Sequence, residues 1–148
     1  MTTQPPIRPR CAEGLASLRV GRIMREGLVS CDAGEDVRAV ARTMARHGIH
    51  SVVVNGIARR DHAGTPLEWG IVSSLDLVRG LLPAPTDRLA GELAATGIAT
   101  VWPSDSVADA ARLMAELDVA HLVVVAPETG RPLGMLSTLD VARAVECS

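Results

Sequence analysis

The pattern of apolar and polar positions along the chain occurs twice. Within residues 37–44, apolar side chains recur at the i, i+3, i+4 and i+7 positions of a helix face, and the same spacing returns within residues 107–114. Each stretch is followed by a continuous apolar, β-branched run, SVVV at 51–54 and HLVVVA at 121–126, which is typical of a buried strand. The pattern therefore predicts an amphipathic helix followed by a buried strand, in two copies.

Shorter elements complete each copy. Asp36 and Ser106 stand at the start of the two helices and are predicted N-caps, Ser106 with Asp109 resembling a capping box. We predict short strands before the helices, third strands after the buried runs, and closing helices, at LVSC 28–31 and IATV 98–101, GIVS 70–73 and GMLS 134–137, and LDLVRGLL 75–82 and LDVARAV 139–145. The predicted fold is α/β (α+β): two pseudo-symmetric β-α-β-β-α repeats packed as one module.

The repeat can be aligned residue by residue. A shift of 70 residues places Gly21 on Gly91, and later in the chain a shift of 64 places Asp76 on Asp140. The first copy is therefore six residues longer, and the extra residues fall within NGIARRDHAGTPLEW at 55–69. That segment is rich in Gly and charged residues and contains Pro, which predicts an exposed loop.

The alignment also sets the predicted boundaries. The first repeat spans residues 19–82, a proline-containing linker spans 83–88, and the second repeat spans 89–146. Residues 1–18 lie outside the repeats, and the first ten carry three prolines and two arginines, so we expect a mobile N-terminal tail.

The strongest chemical signal is a repeated heptapeptide, GIVSSLD at 70–76 and GMLSTLD at 134–140. It has two interpretations. A hydroxyl followed three residues later by an acid is the capping-box pattern of a helix start, which is purely structural. The same atoms could also bind a nucleotide, because a hydroxyl beside helix N–H groups can donate to phosphate and the acid can accept the two hydroxyls of a ribose.

Composition excludes several classes of function. A net charge of −2, with Trp69 and Trp102 as the only aromatic residues, argues against nucleic acid as a partner. No apolar run reaches the roughly 20 residues of a membrane span, and residues 1–10 lack an apolar signal-peptide core, so we expect no membrane partner. The odd number of widely spaced cysteines suggests reduced thiols and therefore a cytoplasmic location. The four His and three Cys residues show no metal-ligand spacing, and no serine lies in a nucleophile elbow. We therefore expect a protein that is not an enzyme, with no catalytic residue, no metal site and no required cofactor.

A family resemblance rests on the two heptapeptides, on the strand and helix start at residues 100–107 and on the strands at 48–54 and 118–125. Together they resemble the CBS domain, which usually occurs in tandem as a Bateman module. The resemblance covers residues 19–146 and implies a regulatory module that binds an adenosine-containing ligand: AMP, ADP, ATP or S-adenosylmethionine. In the family the motif acid holds the ribose, a role that passes to Asp76 and Asp140. The other implied ligand-binding residues are the motif hydroxyls, the first-strand hydroxyls and the middle-strand main chain at Ser73, Ser137, Ser30, Thr100, Ser51, Val53, His121 and Val123.

The resemblance also implies a homodimer and leaves one alternative open. Many nucleotide-binding members carry a basic residue just before the motif acid, where this chain has Leu75 and Leu139. The alternative is therefore a ligand-free structural or protein-interaction module of the same fold with vestigial clefts. Since 148 residues hold no further catalytic or transport domain, either function implies a separate, unidentified protein partner.

Overall fold

The protein is described here by a computed structural model that covers residues 11–81 and 88–146. In chain order the elements are α1 (Cys11–Ser17), α2 (Val20–Ile23), β1 (Arg25–Glu26), β2 (Ser30–Asp32), α3 (Val37–His47), β3 (Ser51–Arg60), β4 (Pro66–Ser73), α4 (Ser74–Leu81), α5 (Ala90–Leu93), β5 (Thr100–Val101), α6 (Val107–Leu117), β6 (His121–Val125), β7 (Pro132–Ser137) and α7 (Thr138–Val145). The predicted β-α-β-β-α order is thus present twice, as β2 to α4 and as β5 to α7, and the α+β fold class is confirmed.

The chain divides into two compact units. One is Leu28–Ala99, which we call the Asp76 unit, and the other joins Met1–Gly27 to Thr100–Ser148, which we call the Asp140 unit. Each unit therefore combines one β-α-β-β-α stretch with the short segment that precedes the other stretch in sequence. The predicted linker at 83–88 lies, except for Arg88, outside the described residues, as do residues 1–10 of the predicted tail.

The Asp76 unit contains a three-stranded sheet in the order β2-β3-β4, in which β2 runs parallel to β3 and β4 antiparallel to it. Alternate residues of the sheet face the helices, since side chains along a strand alternate between its two faces. The resulting apolar core joins strand, α3, α4 and α5 residues, among them Cys31, Val52, Val54, Val72, Val37, Val40, Met44, Leu77, Ala90 and Leu93.

The Asp140 unit contains a four-stranded sheet in the order β1-β7-β6-β5. The parallel pair β5–β6 and the antiparallel pair β6–β7 repeat the arrangement of the other unit, and β1 adds an antiparallel edge strand beside β7. Its interior includes the fully buried Val107, Leu122, Val124 and Leu136. In each unit a glycine of the added short segment donates to the loop after the first strand of the β-α-β-β-α stretch. Gly21 N–H donates to Pro103 O, and Gly91 N–H donates to Ala33 O.

The ends of the long helices follow the sequence. The Asp36 carboxylate accepts from Ala39 N–H at 2.9 Å, and the Ser106 hydroxyl accepts from Asp109 N–H at 3.0 Å, which confirms both predicted N-caps. The α3 helix ends at Gly48 with φ of 61°, a left-handed conformation that glycine adopts without a Cβ clash.

Residues 11–17, which lie outside the predicted repeats, form helix α1, which packs on α6 and α7 within the Asp140 unit. One sequence expectation is wrong. The segment 55–69, expected to be a loop, is mostly a β-hairpin, because β3 extends to Arg60 and β4 begins at Pro66. Its turn is closed by the Asp61 carboxylate, which accepts from the N–H groups of Ala63 and Thr65. Leu67 and Trp69 of this segment are buried, which explains why a stretch rich in loop-forming residues is nonetheless ordered as sheet.

Candidate functional site

In the Asp76 unit, four of the sequence-predicted site residues lie on one face of the sheet. Ser51 is paired with Ser73 across β3 and β4, and Ser30 is paired with Val53 across β2 and β3. Paired residues share a face, and so do Ser51 and Val53, which are two apart along one strand. Asp76 follows in the first turn of α4, directly after Ser73. The fold thus brings the five predicted residues of this unit together.

The Asp140 unit repeats this arrangement. His121 is paired with Ser137 across β6 and β7, and Thr100 is paired with Val123 across β5 and β6. By the same alternation, these four residues share one sheet face, and Asp140 lies in the first turn of α7. On this face the His121 imidazole is exposed and the Val123 side chain is buried. The opposite face of the sheet belongs to the core.

Both heptapeptides form the local hydrogen bonds of a capping box. In the first, Ser73 N–H donates to Asp76 Oδ2 at 3.0 Å and Asp76 N–H donates to Ser73 Oγ at 3.1 Å. In the second, the corresponding distances between Ser137 and Asp140 are 2.9 and 3.2 Å, and the Ser137 hydroxyl also donates to Asp140 Oδ2 at 2.9 Å. The structural interpretation of the motif is therefore correct, and any ligand must use the bonding capacity that remains.

The two acids are buried to the same extent, 7% exposed each, but they have different partners. Asp140 Oδ1 accepts from Arg25 Nε at 3.3 Å, an ion pair between an exposed guanidinium and a buried carboxylate. Burial by itself raises the pKa of Asp140. The hydrogen bonds from Ser137 and the bond and charge of Arg25 outweigh that effect and hold the pKa below its ordinary value. Asp140 is therefore ionised at neutral pH.

Asp76 has a neutral partner instead. The Thr96 hydroxyl donates to Asp76 Oδ2 at 2.5 Å, from the segment that follows α5. Among residues 11–81 and 88–146, no basic side chain forms an ion pair with Asp76. The two candidate sites thus share their serine, acid and strand positions and differ in the charge beside the acid.

Sequence reasoning missed both Arg25 and Thr96. The shift of 70 that aligns Gly27 with Gly97 places Arg25 on Ala95, next to Thr96. The two segments are aligned in sequence. The alignment does not indicate that Arg25, which precedes the first β-α-β-β-α stretch, contacts the acid of the second stretch, or that Thr96 contacts the acid of the first. Only the pairing of β1 with β7 places Arg25 near Asp140.

A pocket of about 320 Å³ lies elsewhere in the Asp140 unit, between α6 and α7. Its lining is mainly apolar and consists of Ala111, Met114, Ala115, Asp118, Val119, Thr138 and Val141. Thr138 belongs to the second heptapeptide, but none of the predicted site residues lines this pocket.

Two other features bear on function, a metal centre and a membrane-spanning helix. In the part of the chain that the structure describes, no group of three or more His, Cys, Asp or Glu side chains is arranged to hold a metal ion. Over the same residues, none of the helices is both long enough and apolar enough to cross a membrane.

The CBS domain family model matches this chain twice, at residues 20–83 and 90–147. A comparison with curated proteins finds no match. Solved structures are similar over most of the chain. One is an uncharacterized conserved protein from Pyrococcus horikoshii, with 18% identity, a TM-score of 0.69, and coverage of 88% of this chain and 94% of that chain.

Two similar structures contain adenosine compounds. The CBS domain pair of protein MJ0100, in complex with 5′-methylthioadenosine and S-adenosyl-L-methionine, is 18% identical with a TM-score of 0.65, covering 84% of this chain and 93% of that chain. The protein CBSX2, in complex with AMP, is 24% identical with a TM-score of 0.65, covering 86% of this chain and 96% of that chain. At these identities the similarity shows a shared fold.

Proposed function

The chain belongs to the CBS domain family, and we propose that it acts as a non-catalytic regulatory module that binds an adenosine-containing ligand: AMP, ADP, ATP or S-adenosylmethionine. The observation that carries the proposal is the same in both units. A buried, hydrogen-bonded acid follows a serine at the end of a strand, beside a sheet face that presents the predicted hydroxyl and apolar residues. The presence of AMP and S-adenosylmethionine in complexes of similar proteins supports this class of ligand.

The carboxylates keep acceptor capacity after capping. An ionised carboxylate has about four lone-pair positions on its two oxygens. Asp76 uses Oδ2 for Ser73 N–H and Thr96 Oγ, and its Oδ1 accepts no bond from the described residues. A ribose diol can donate both hydroxyls to that oxygen. The Ser30 and Ser51 positions on the adjacent sheet face are suited to contact the rest of the nucleoside.

Calorimetric titration with AMP, ADP, ATP and S-adenosylmethionine tests the proposal. The parent protein is compared with Asp76→Ala, Asp140→Ala and the double variant. We expect saturable binding by the parent, weaker binding at one site in each single variant, and none in the double variant. Equal binding by all four proteins would contradict the ribose-binding role of the two acids, and flat traces for the parent would refute ligand binding itself.

The structure supplies matched controls for these variants. Because Asp76 and Asp140 are the acid partners of the two capping boxes, their loss costs stability as well as ligand contacts. Asp36→Ala removes the cap of α3 in the Asp76 unit, and Ser106→Ala removes the cap of α6 in the Asp140 unit. Neither residue is a predicted site residue. A ligand-binding loss seen with the acid variants but not with these controls is due to the site and not to a loosened helix.

The homodimer implied by the family resemblance is a second part of the proposal. Helix α4 exposes Leu75, Val78 and Leu81, and α7 exposes Leu139 and Val145, each between 38% and 55% exposed. Large apolar side chains grouped on exposed helices favour contact with another protein surface, and a second copy of the chain is the partner we propose. Sedimentation equilibrium of the parent and of Leu75→Glu with Leu139→Glu tests this. A dimeric parent and a monomeric variant are expected, and a monomeric parent would contradict it.

The alternative, an interaction module without a ligand, is favoured by the absence of a basic residue at positions 75 and 139. It predicts that the parent dimerises and binds none of the four adenosine compounds. The two measurements above therefore separate the candidate functions.

A further inference from the structure

The two candidate sites differ by one charge. Arg25 contacts the buried Asp140, whereas the corresponding acid Asp76 is contacted by the neutral Thr96. The neighbouring basic residues do not create this difference, because Arg79 and Arg143 stand three residues after the two acids in both copies. Of the contacts to the two acids, only the one from the preceding segment differs in charge.

The Arg25 side chain has unused donors. It is 61% exposed and is anchored to Asp140 through Nε alone. Among the residues that the structure describes, neither terminal guanidinium nitrogen has a side-chain or main-chain acceptor. A guanidinium offers five N–H donors in a planar fork that matches the oxygens of a phosphate. Arg25 is thus held at its base by the motif acid and presents its terminal nitrogens for an anion.

The start of α7 offers few main-chain donors. Ser137 N–H and Asp140 N–H are engaged in the capping box, and Thr138 N–H donates to Ala120 O at 2.9 Å. The Asp76 unit shows the same engagement, with Ser74 N–H donating to His50 O at 2.7 Å. A phosphate near either motif acid therefore meets few main-chain donors, and among the described residues a side-chain cation contacts the acid of the Asp140 unit alone.

The two acids also differ in how many further hydrogen bonds they can accept, and Asp76 can accept more than Asp140. Asp140 receives two bonds from Ser137 on Oδ2 and one from Arg25 on Oδ1, and its charge is paired with a cation. Asp76 keeps Oδ1 available, and no cation among the described residues pairs with it. An unpaired carboxylate favours a neutral diol or a cationic ligand, such as the sulfonium of S-adenosylmethionine, over a phosphate.

We propose that Arg25 is a specificity-determining residue that makes the Asp140 unit bind phosphate-bearing adenosine ligands, while the Asp76 unit, with Thr96 in its place, binds adenosine ligands without phosphate. The inference rests on the proposed function and adds to it that one chain carries two sites of different ligand class. Arg25 binds the phosphate directly and at the same time orients Asp140.

Adenosine and AMP, which differ only in the phosphate, are the probes. Calorimetric titration of the parent, Arg25→Gln and Arg131→Gln is the test. Arg131 is an exposed arginine at the far end of β7 from Ser137, and its substitution removes the same charge from the same unit. We expect Arg25→Gln to weaken AMP binding roughly tenfold or more, the size of one lost charge-assisted contact. Adenosine binding should change less than about threefold, and Arg131→Gln should alter neither ligand.

Two further variants separate a phosphate contact from a structural role. Arg25→Lys keeps the charge and should retain part of the AMP preference. Ala95→Arg places a cation at the aligned position of the Asp76 unit, where residue 95 is exposed, and should raise AMP affinity there. Equal losses for adenosine and AMP in Arg25→Gln would show that Arg25 only supports the fold, and an unchanged AMP affinity would also overturn the inference. If the parent binds neither probe, this inference fails, whereas the proposed function fails only if ADP, ATP and S-adenosylmethionine also give flat traces.

Discussion

Gly134 and Arg25 are in close backbone contact: a Cβ atom at position 134 would lie 2.6 Å from the Arg25 carbonyl oxygen. This contact is what allows β1 to pair with β7 and so places the Arg25 side chain beside Asp140. The aligned Gly70 is crowded differently, because a Cβ there would meet Ile57 Cδ1 at 2.5 Å, the movable end of a side chain. A backbone carbonyl cannot rotate away as the end of a side chain can. An added Cβ should therefore be tolerated less well at Gly134 than at Gly70.

We therefore expect Gly134→Ala to destabilise the protein more than Gly70→Ala does. Overpacking of this kind costs about 1–3 kcal/mol, and Gly134→Ala should lie at the upper end because β1 must move. Urea denaturation of both variants measures the difference. Gly34→Ala is the control, since a Cβ at that position meets no atom within 4 Å. A smaller effect at 134 than at 70 would contradict the backbone contact.

The Asp140 carboxylate should make stability depend on pH. Its pKa in the folded protein is lowered by Ser137 and Arg25, so the folded state favours the ionised form. That contribution is present above the ordinary Asp pKa and is lost as the pH falls through the lowered folded value. We expect the stability difference between the parent and Asp140→Asn to be constant near neutral pH and to shrink below about pH 4.

Denaturation curves of the parent and Asp140→Asn between neutral pH and about pH 3 provide the measurement. Other carboxylates titrate in both proteins and cancel in the comparison. A difference that stays constant over the whole range would show that the ionised form of Asp140 has no special stabilisation.

Cys31 should be an unreactive thiol in the folded protein. It is 5% exposed, and burial together with the nearby charges of Glu35 and Asp32 raises the pKa of its thiol to about 11. The thiolate is the reactive species, so at neutral pH both access and ionisation are unfavourable. In a Cys11→Ser, Cys147→Ser variant, a thiol reagent should label Cys31 slowly in buffer and rapidly in denaturant. Equal rates would contradict its burial.

The same thiol gives a prediction at high pH. An unfolded thiol ionises near 9 and the folded one near 11, so the folded state holds the proton more tightly between these values. The contribution of this thiol to the free energy of unfolding is fully present below pH 9 and decreases as the pH rises toward 11. Cys31→Ala should therefore lose less stability than the parent over that interval, as measured by denaturant unfolding at both ends. A parallel loss in both proteins would refute the shift.

The two tryptophans should report on the two units separately. Trp69 is 4% exposed in the Asp76 unit, and Trp102 is 50% exposed in the Asp140 unit. We expect Trp102→Phe, which retains Trp69, to emit at shorter wavelength and to resist iodide quenching. Trp69→Phe should emit at longer wavelength and be quenched readily. Similar quenching of the two single-tryptophan proteins would contradict the burial of Trp69.

Much of the local structure could be predicted from the sequence. The apolar spacing at 37–44 and 107–114 indicated the helices because a buried helix face has a period near 3.6 residues. Asp36, Ser106 and the two heptapeptides indicated helix starts, since a cap bonds to a backbone N–H only two or three residues away. The duplicated order of elements followed from comparing the chain with itself, and the motif residues indicated the family.

The hairpin at 55–69 shows where local reasoning fails. Its composition is that of a loop, yet pairing of Arg59 with Leu67 and of Asn55 with Trp69 holds it as sheet. Burial of Leu67 and Trp69 outweighs the low strand preference of the Gly, Asp and Pro residues around them. A turn signal says where the chain can reverse, but not how far the strands extend on either side.

The sequence by itself determined the two β-α-β-β-α stretches, their caps and the serine–acid motifs, because each depends on periodicity or on contacts within a few residues. Only the tertiary structure decided what lies beside each acid. Arg25 reaches Asp140 across 115 residues, and Thr96 reaches Asp76 across 20. Contacts of that separation depend on which strand edge each short segment joins, and strand pairing is set by packing and by close approaches such as that at Gly134. The charge that distinguishes the two candidate sites is therefore a property of the fold, although the residues that supply it are already present in the chain.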